Sequence, residues 1–444
     1  MMKKIVMLLA VAAMTCFSTS AFAVHEGEGK AAGNLADITV GGSIDIRSRD
    51  FKDLDFNKNV GDATLDTQER VRLDVNVKAG DVKGKVTIEN DWDSFGRFEQ
   101  PQGDNRTLTS NSKGDNAKLD VREAWMLFPV PATPINVKGG HMLLQLGNGW
   151  FFRSMKYGSD AWVAFTDIDP VHVGVVDVKV SEGLTSQSDD IDAYVLFATV
   201  KVSDTMTFGA DVTYADDRRN GFGFGGVSSA LTPTAETQAY NIGLNADIKA
   251  GPVGLKAEAD IQTGKAKQND AKFKGGQIVV QGNVGMDPVT INFGAAYGTG
   301  SKRGDKDIKQ MVTFLDADPR YTLLYEYKVA GPCGLHSGFC GTTALNVGAM
   351  FAATTSLDLG VDVWWLAASE KVAEYHNTAP NAATTNELGT EVDVKINWKL
   401  ADNLSWNWLL GYLAPGKGLG TTSASGGHHK DAALGAQGVL SMKF

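Results

Sequence analysis

The sequence predicts an all-β protein, a closed antiparallel transmembrane β-barrel of about eighteen strands, with sixteen as the smaller alternative. Three observations lead there. Apolar and polar residues alternate with period two along most of the chain. The connections alternate between short turns and long polar loops. No apolar run beyond the N-terminal segment is long enough to cross a bilayer as a helix.

The N-terminus reads as an export signal. Lys3 and Lys4 form a positive region, Ile5 to Ala13 an apolar stretch too short to span, and Ala21-Phe22-Ala23 a small-x-small site. Cleavage is expected after about Ala23, which leaves a single domain over 24–444. A lipid-anchored reading through Cys16 fails, because Thr15 and Ala13 are poor residues ahead of a lipidated cysteine. The net charge of −10 becomes about −12 without the two signal lysines, which argues against nucleic acid as a partner. Gly is abundant at 50 residues, Pro scarce at 12, and aromatics reach 9%, as expected of a β-rich chain with many turns.

The strands follow in order. In the first, Ile38, Val40, Ile44 and Ile46 share a face against Ser43, Asp45, Arg47 and Arg49. In the second, Val71, Leu73, Val75 and Val77 oppose Gln68, Arg70, Arg72, Asp74, Asn76 and Lys78. Gly80-Asp81 turns the chain, and Val82, Val86, Ile88 and Trp92 then oppose Lys83, Lys85, Thr87, Glu89 and Asp91. The same pattern places strands near 38–49, 67–79, 82–93, 118–128, 135–147, 160–166, 171–181, 190–202, 206–215, 236–249, 252–263, 275–285, 288–298, 342–354, 357–368, 386–400, 404–413 and 432–444. The one near 160–166 is the shortest, which is why sixteen is the alternative count.

Short turns include Gly80-Asp81, Gly251-Pro252, Asp287-Pro288 and Asp402-Asn403. Long loops are expected at 50–66, 94–117, 216–235, 299–341, 369–385 and 414–431. An even strand count puts both chain ends on the short-turn side, as in a barrel with short periplasmic turns and longer external loops. A soluble sandwich has no need of that asymmetry. Nor does it need aromatics near strand ends, where Trp92, Trp125, Phe128, Phe165, Tyr214, Tyr240, Tyr297, Trp365, Trp398, Trp406 and Tyr412 are expected to form interface girdles. In lipid every backbone polar group must be paired, and only helices and closed barrels manage that.

Some stretches carry a family resemblance. Arg122-Glu123-Ala124-Trp125-Met126-Leu127, Val137-Lys138-Gly139-Gly140-His141-Met142 and Leu146-Gly147-Asn148-Gly149 resemble strands of large Gram-negative porins of the alginate-export and outer-membrane carboxylate-channel group. His141 and Met142 stand where that group usually has Arg-Gln. The final Leu440, Met442 and Phe444 share one face and resemble the C-terminal signal read by barrel-assembly machinery. The resemblance covers roughly 65–200 and the last strand. It implies a monomeric eighteen-stranded barrel in the outer membrane of a Gram-negative bacterium, with a pore narrowed by inward-folded loops.

If the apolar faces meet lipid, the polar faces line water. Arg47, Arg70, Arg72 and Arg122 then form a basic wall, interleaved with Asp45, Asp74, Glu89, Asp91 and Asp120. Glu258, Asp260, Asp362, Glu391 and Asp393 form an acidic wall across the barrel. Facing walls would set a transverse field that selects small polar or charged solutes. The plainer reading is a set of lumen residues tied in mutual salt bridges. The segment 148–160 carries Trp150, Phe151, Phe152, Arg153 and Lys156, large side chains that either burial in the lumen or packing on the rim explains. Within 299–341, Tyr321 to Tyr327 is expected to form a hairpin above the membrane. Cys333 and Cys340 are expected to staple that loop, since the compartment is oxidising, and closure would add roughly 2–3 kcal/mol. A metal or redox pair is the weaker alternative, with one nearby His336 and no Cys-x-x-Cys.

No chemistry is expected. The seven histidines, His25, His141, His172, His336, His376, His428 and His429, fall in no triad or metal spacing, and no cofactor is implied. Two functions from different classes remain: passive diffusion of small polar solutes through the lumen, or a sleeve holding a partner such as a periplasmic cytochrome. The chain has no Cys-x-x-Cys-His with which to bind c-type haem itself.

Overall fold

The structure is a computed structural model that describes residues 36–94, 119–182, 190–218, 236–266, 270–316, 320–377, 379, 381–422 and 427–444. The export segment through Ala23, the connection 94–117 beyond Ser94 and most of 216–235 lie outside the described residues.

Eighteen long strands form the wall: β1 (Asp37–Lys52), β2 (Thr64–Ala79), β3 (Val82–Ser94), β4 (Leu119–Pro129), β5 (Asn136–Gln145), β6 (Phe152–Ile168), β7 (Val171–Ser181), β8 (Ile191–Ser203), β9 (Met206–Asp217), β10 (Thr237–Ala250), β11 (Val253–Ala266), β12 (Gly276–Met286), β13 (Val289–Gly298), β14 (Thr342–Ala352), β15 (Leu357–Ala373), β16 (Thr384–Ala401), β17 (Leu404–Pro415) and β18 (Ala433–Lys443). Each pairs antiparallel with the next, and β18 returns to β1 through pairs from Ser43 and Lys443 to Lys52 and Leu434. The sheet therefore closes and leaves no wall strand with an open edge. Eighteen, rather than sixteen, is the count, because the short segment near 160–166 is in fact the central part of a 17-residue strand.

The alternation works as the sequence requires. Ile44, Val71, Leu73, Val86, Leu196, Leu244, Ile261, Leu345, Val363 and Leu410 stand exposed on the outside. Residues that alternate with the outward ones along the strands, such as Asp45, Arg47, Thr87, Glu89, Asp260 and Glu391, are buried inside. An apolar belt around a whole barrel is stable only against hydrocarbon. No helix among the described residues is long and apolar enough to cross a membrane.

One end of the barrel carries tight turns such as Gly80-Asp81 and Asp287-Pro288, together with the start of β1 and the end of β18. The longer connections rise from the other end, and three segments, two of them from the one connection between β13 and β14, turn inward. They are the turn at 146–151, the segment at 305–316 and the loop at 320–341. Leu323, Leu324, Tyr325 and Phe339 of the long loop pack on Phe51 of β1, Trp364 and Leu366 of β15, Leu388 of β16 and Leu413 of β17. Phe151, Ile308, Met311 and Val312 of the other two cover Val176 and Val178 of β7 and Val195 of β8. The core of this protein is thus inside the barrel, between its wall and its own loops.

Two expectations are corrected here. The Tyr321–Tyr327 stretch is a turn packed within the lumen and not a hairpin above it, because its apolar side chains find the inward apolar faces of β15–β17. Three expected girdle aromatics point inward. Trp92 is turned by a register shift between β2 and β3, Trp125 donates to Glu123, and Phe165 lies against His172. Tyr194, Tyr214 and Tyr240 do form an outer row, with adjacent ring centroids 6.2 and 4.8 Å apart.

Candidate functional site

The site is the narrowed lumen, and the first four strands build its basic side. Arg47 on β1 and Arg70 on β2 lie on Trp92, their guanidinium carbons 3.8 and 4.2 Å from its ring centroid. The bulge that turns Trp92 inward, with φ of 38°, is what creates this stack. Arg70 also pairs with Asp45 at 3.0 Å. Arg72 pairs with Glu89, and Arg122 reaches the same carboxylate at 3.6 Å while donating to the Met155 carbonyl. Arg122 shares the inward side with Glu123 because β4 shifts register beside Thr87. Lys85 closes the row on Glu123 at 2.6 Å.

The structure therefore brings the four arginines together, and three of them are ion-paired. Arg47 differs. Among the described residues its polar contact is Gln68, and it makes no ion pair within 4 Å. Lys328 from the inward loop faces this group from above, over the rings of Phe51 and Tyr327 at 4.7 and 4.3 Å. Burial, together with Arg49 and Arg47, pushes the Lys328 amine down to about 8. Sequence reading missed Lys328, since nothing in its spacing shows that the loop enters the lumen.

The acidic side is built differently. Glu258 on β11 accepts backbone N–H bonds from Asn148, Trp150 and Phe151 at 2.5, 2.9 and 3.0 Å. Glu391 on β16 accepts them from Leu324 and Tyr325 at 2.6 and 2.8 Å. These two acids hold loops in place. Asp260 accepts from Asn241 and Gln277, each at 2.8 Å, and Asp362 pairs with Lys395. Asp393 lies in register with Asp362. The acids also do not form one wall. In a ring of eighteen, β11 stands opposite β2, whereas β16 is only three strands from β1.

The loops lock one another. Arg320 stacks on Trp150 at 4.2 Å and donates to the carbonyls of Asn148 and Gly149. Burial and the neighbouring Arg153 hold its guanidinium down at about 10. Glu326 caps its own loop, accepting from the backbone of Arg320 and Tyr321 at 2.5 and 2.9 Å. Burial pushes its carboxyl up to about 7 against those bonds. Cys333 and Cys340 are joined, their Cα atoms 5.8 Å apart. The segment 148–160 splits: its first four residues form the inward turn and the rest begins β6. What stays open includes a cavity of about 510 Å³ between Val163, Val176, Val195 and Phe197 on one side and Asp211, Asn245, Asp247 and Lys256 on the other.

Of the described histidines, His336 lies against Tyr327 on the inward loop, ring centroids 5.9 Å apart, and His172 lies against Phe165 and Phe197. His141 pairs with Asp160 at 2.8 Å and His172 with Asp167 at 2.7 Å, and His428 stacks on Tyr375. Among the described residues, no group of three or more His, Cys, Asp or Glu side chains is placed to hold a metal.

The sequence matches no protein-family model and no curated protein. Solved structures do match in fold. OccK11 (OpdR) of Pseudomonas aeruginosa superposes with a TM-score of 0.56 at 9% identity, over 93% of this chain and 97% of that one. OccAB2 of Acinetobacter baumannii gives 0.56 at 10%, over 92% and 98%. The outer membrane protein OpdK of P. aeruginosa gives 0.53 at 10%, over 91% and 98%. At such identities the likeness is one of fold.

Proposed function

We propose that this protein is an outer-membrane porin that passes small polar or charged solutes by diffusion through its lumen. One observation carries the reading: the barrel interior is filled by the chain's own segments, which leave cavities of small-molecule size. The cavity beneath the 146–151 turn is about 510 Å³, and one at the rim, among the connections that carry Arg303, Pro332, His376 and Leu419, is about 580 Å³. Such spaces fit solutes. A sleeve needs room for a folded partner, and here the 320–341 loop takes that room. The fold shared with OpdK, an outer membrane protein, supports the same compartment. So does the export segment ending at about Ala23. Phe444, exposed at the end of β18, is read as the contact for barrel-assembly machinery.

In this reading Arg47, Arg70, Arg72 and Arg122 line the constriction, and the net field favours anions. Glu258 and Glu391 have their charge taken up by backbone N–H groups, while Arg47 and Lys328 carry charge without an ion pair among the described residues. No enzymatic step is assigned, and the His–Asp pairs are read as structural.

Single-channel recording of refolded protein in a planar bilayer, under a salt gradient, tests this. Discrete open steps with an anion-selective reversal potential are expected. A folded barrel that conducts nothing would sink the channel reading, and cation selectivity would sink the assignment of the basic wall.

A further inference from the structure

A second lumen feature is not needed for the basic constriction. Asp211 on β9 and Asp260 on β11 approach one another across Gly243 of β10, the residue in register with both. A Cβ on Gly243 would lie 2.5 Å from Asp211 Oδ1 and 3.0 Å from Asp260 Oδ1. The two carboxylate oxygens are therefore within about 5.5 Å of each other, a separation at which like charges repel. Neither carboxylate has a Lys or Arg within 4 Å among the described residues.

The oxygens around them are left over. Asp211 is 7% exposed and its Oδ2 has no hydrogen-bond partner among the described residues. Gln277 is 5% exposed and gives its Nε2 to Asp260, which leaves its Oε1 unpartnered beside the same carboxylate. Thr213, next on the inward face of β9, holds an unpartnered Oγ1. Buried acceptors without donors are costly, and three of them on the inward positions that flank the Asp211–Asp260 pair, on β9 and on β12, indicate a ligand that supplies positive charge. Asp211 also lines the 510 Å³ cavity, so the place is open to water and ions.

We propose that Asp211, Asp260 and the Gln277 carbonyl oxygen form a binding site for a hard divalent cation, Ca²⁺ being the natural fit. Two carboxylates, an amide oxygen and cavity water make an all-oxygen set of the adaptable kind that Ca²⁺ accepts. Gly243 is required because any side chain there would occupy the cradle. With only two acidic ligands the affinity falls in the weak range typical of extracellular sites, about 10⁻⁴ to 10⁻³ M. The occupied site cancels two negative charges on β9–β11, opposite the arginines of β1–β2. Bound cation therefore shifts the lumen further toward anions.

Binding is tested apart from conductance. Refolded full-length protein, its folding checked by heat-modifiable mobility, is titrated with Tb³⁺, and aromatic-sensitised emission is followed as Ca²⁺ competes. The wild type is expected to show saturable emission that millimolar Ca²⁺ displaces. Asp211→Asn, nearly isosteric and relieved of repulsion, is expected to weaken binding at least tenfold. Gly243→Ala changes no charge and is expected to do the same. No saturable emission would overturn the proposal. So would binding unchanged in both variants, which would mark an adventitious surface carboxylate. If Gly243→Ala does not fold, Asp211→Asn alone decides. Because the readout is binding, a silent channel leaves this test intact.

Discussion

The backbone N–H of Leu324 donates to the Glu391 carboxylate at 2.6 Å, and this bond ties the longest loop to the barrel wall from the inside. Tyr325 adds a second at 2.8 Å. Glu258 does the same for the 146–151 turn. Each glutamate is followed two residues later, on the same face, by an aspartate: Glu258-Ala-Asp260 and Glu391-Val-Asp393. A charged acceptor gives stronger bonds than a neutral one, and the buried setting strengthens them further.

Removing that acceptor should release the loop. Two hydrogen bonds to a charged group contribute about 3 kcal/mol together. Glu391→Ala is expected to leave the barrel folded but to raise unitary conductance and expose the 320–341 loop to protease. Glu391→Gln keeps one carbonyl oxygen and should fall between. A variant with wild-type conductance and protection would show that the apolar contacts of Leu323 and Leu324 hold the loop alone.

The stack on Trp92 gives a second expectation. The ring fixes Arg47, which among the described residues has no carboxylate to orient it, so Trp92→Ala should free its guanidinium into the lumen. Stacking of this kind contributes roughly 0.5–2 kcal/mol. Reversal potentials should move toward neutrality several-fold less than in Arg47→Ala, which removes the charge itself. Equal shifts in the two variants would mean that Trp92 acts by more than positioning.

The wall was legible because its physics is local. Ile44 and Val71 face out and Asp45 and Arg72 face in for the reason alternation exists, and every strand location followed from it. The lumen was less legible. Glu258 and Glu391 read as wall charges, since a carboxylate that accepts from a distant backbone looks in sequence like any other. One signal was available. In β7 both faces are apolar, with Val176 and Val178 inside and Val175 opposite, and a water-lined face has no use for valine. Those inward valines, and Val195 beside them, marked where loops fold in. Trp92 was misplaced because a bulge reverses the alternation beyond it.

Acidification should tighten the inward loop. The Glu326 carboxyl, at about 7, sits above the ordinary carboxylate range, so the docked loop binds a proton more readily than the released one. Its contribution to docking is fully present below about pH 4.5 and is lost as pH rises through 7. Lys328, at about 8, stays largely protonated through that window and adds little slope there. The groups acting on Glu326 are Arg320 and Glu391. Protection factors over 320–341, which remove the intrinsic pH dependence of amide exchange, should rise between pH 7 and 5, with quieter channel recordings. Glu326→Gln should flatten that dependence. A slope that survives the substitution would show that Glu326 is not the group responsible.

The Cys333–Cys340 bond should act on the same loop from its other end. It closes a segment of sequence separation 7 between Pro332 and Gly341, just ahead of β14. The docked segment is also held by Tyr325 to Thr342 at 2.6 Å and by Tyr321 to the Gly338 carbonyl at 3.0 Å. Reduction leaves those bonds but restores chain freedom to the released state, a loss of roughly 2–3 kcal/mol in docking and not in barrel stability. The closed sheet should therefore resist heat as before, while exchange over 327–341 speeds up and channel noise rises. Cys333→Ser with Cys340→Ser should reproduce what a reductant does to the wild type, and a reductant should then have no further effect. Unchanged exchange in the reduced protein would mean that Glu391, Tyr321 and Tyr325 fix the loop without the staple. A drop in barrel melting temperature would mean that the loop core and the wall unfold as one unit.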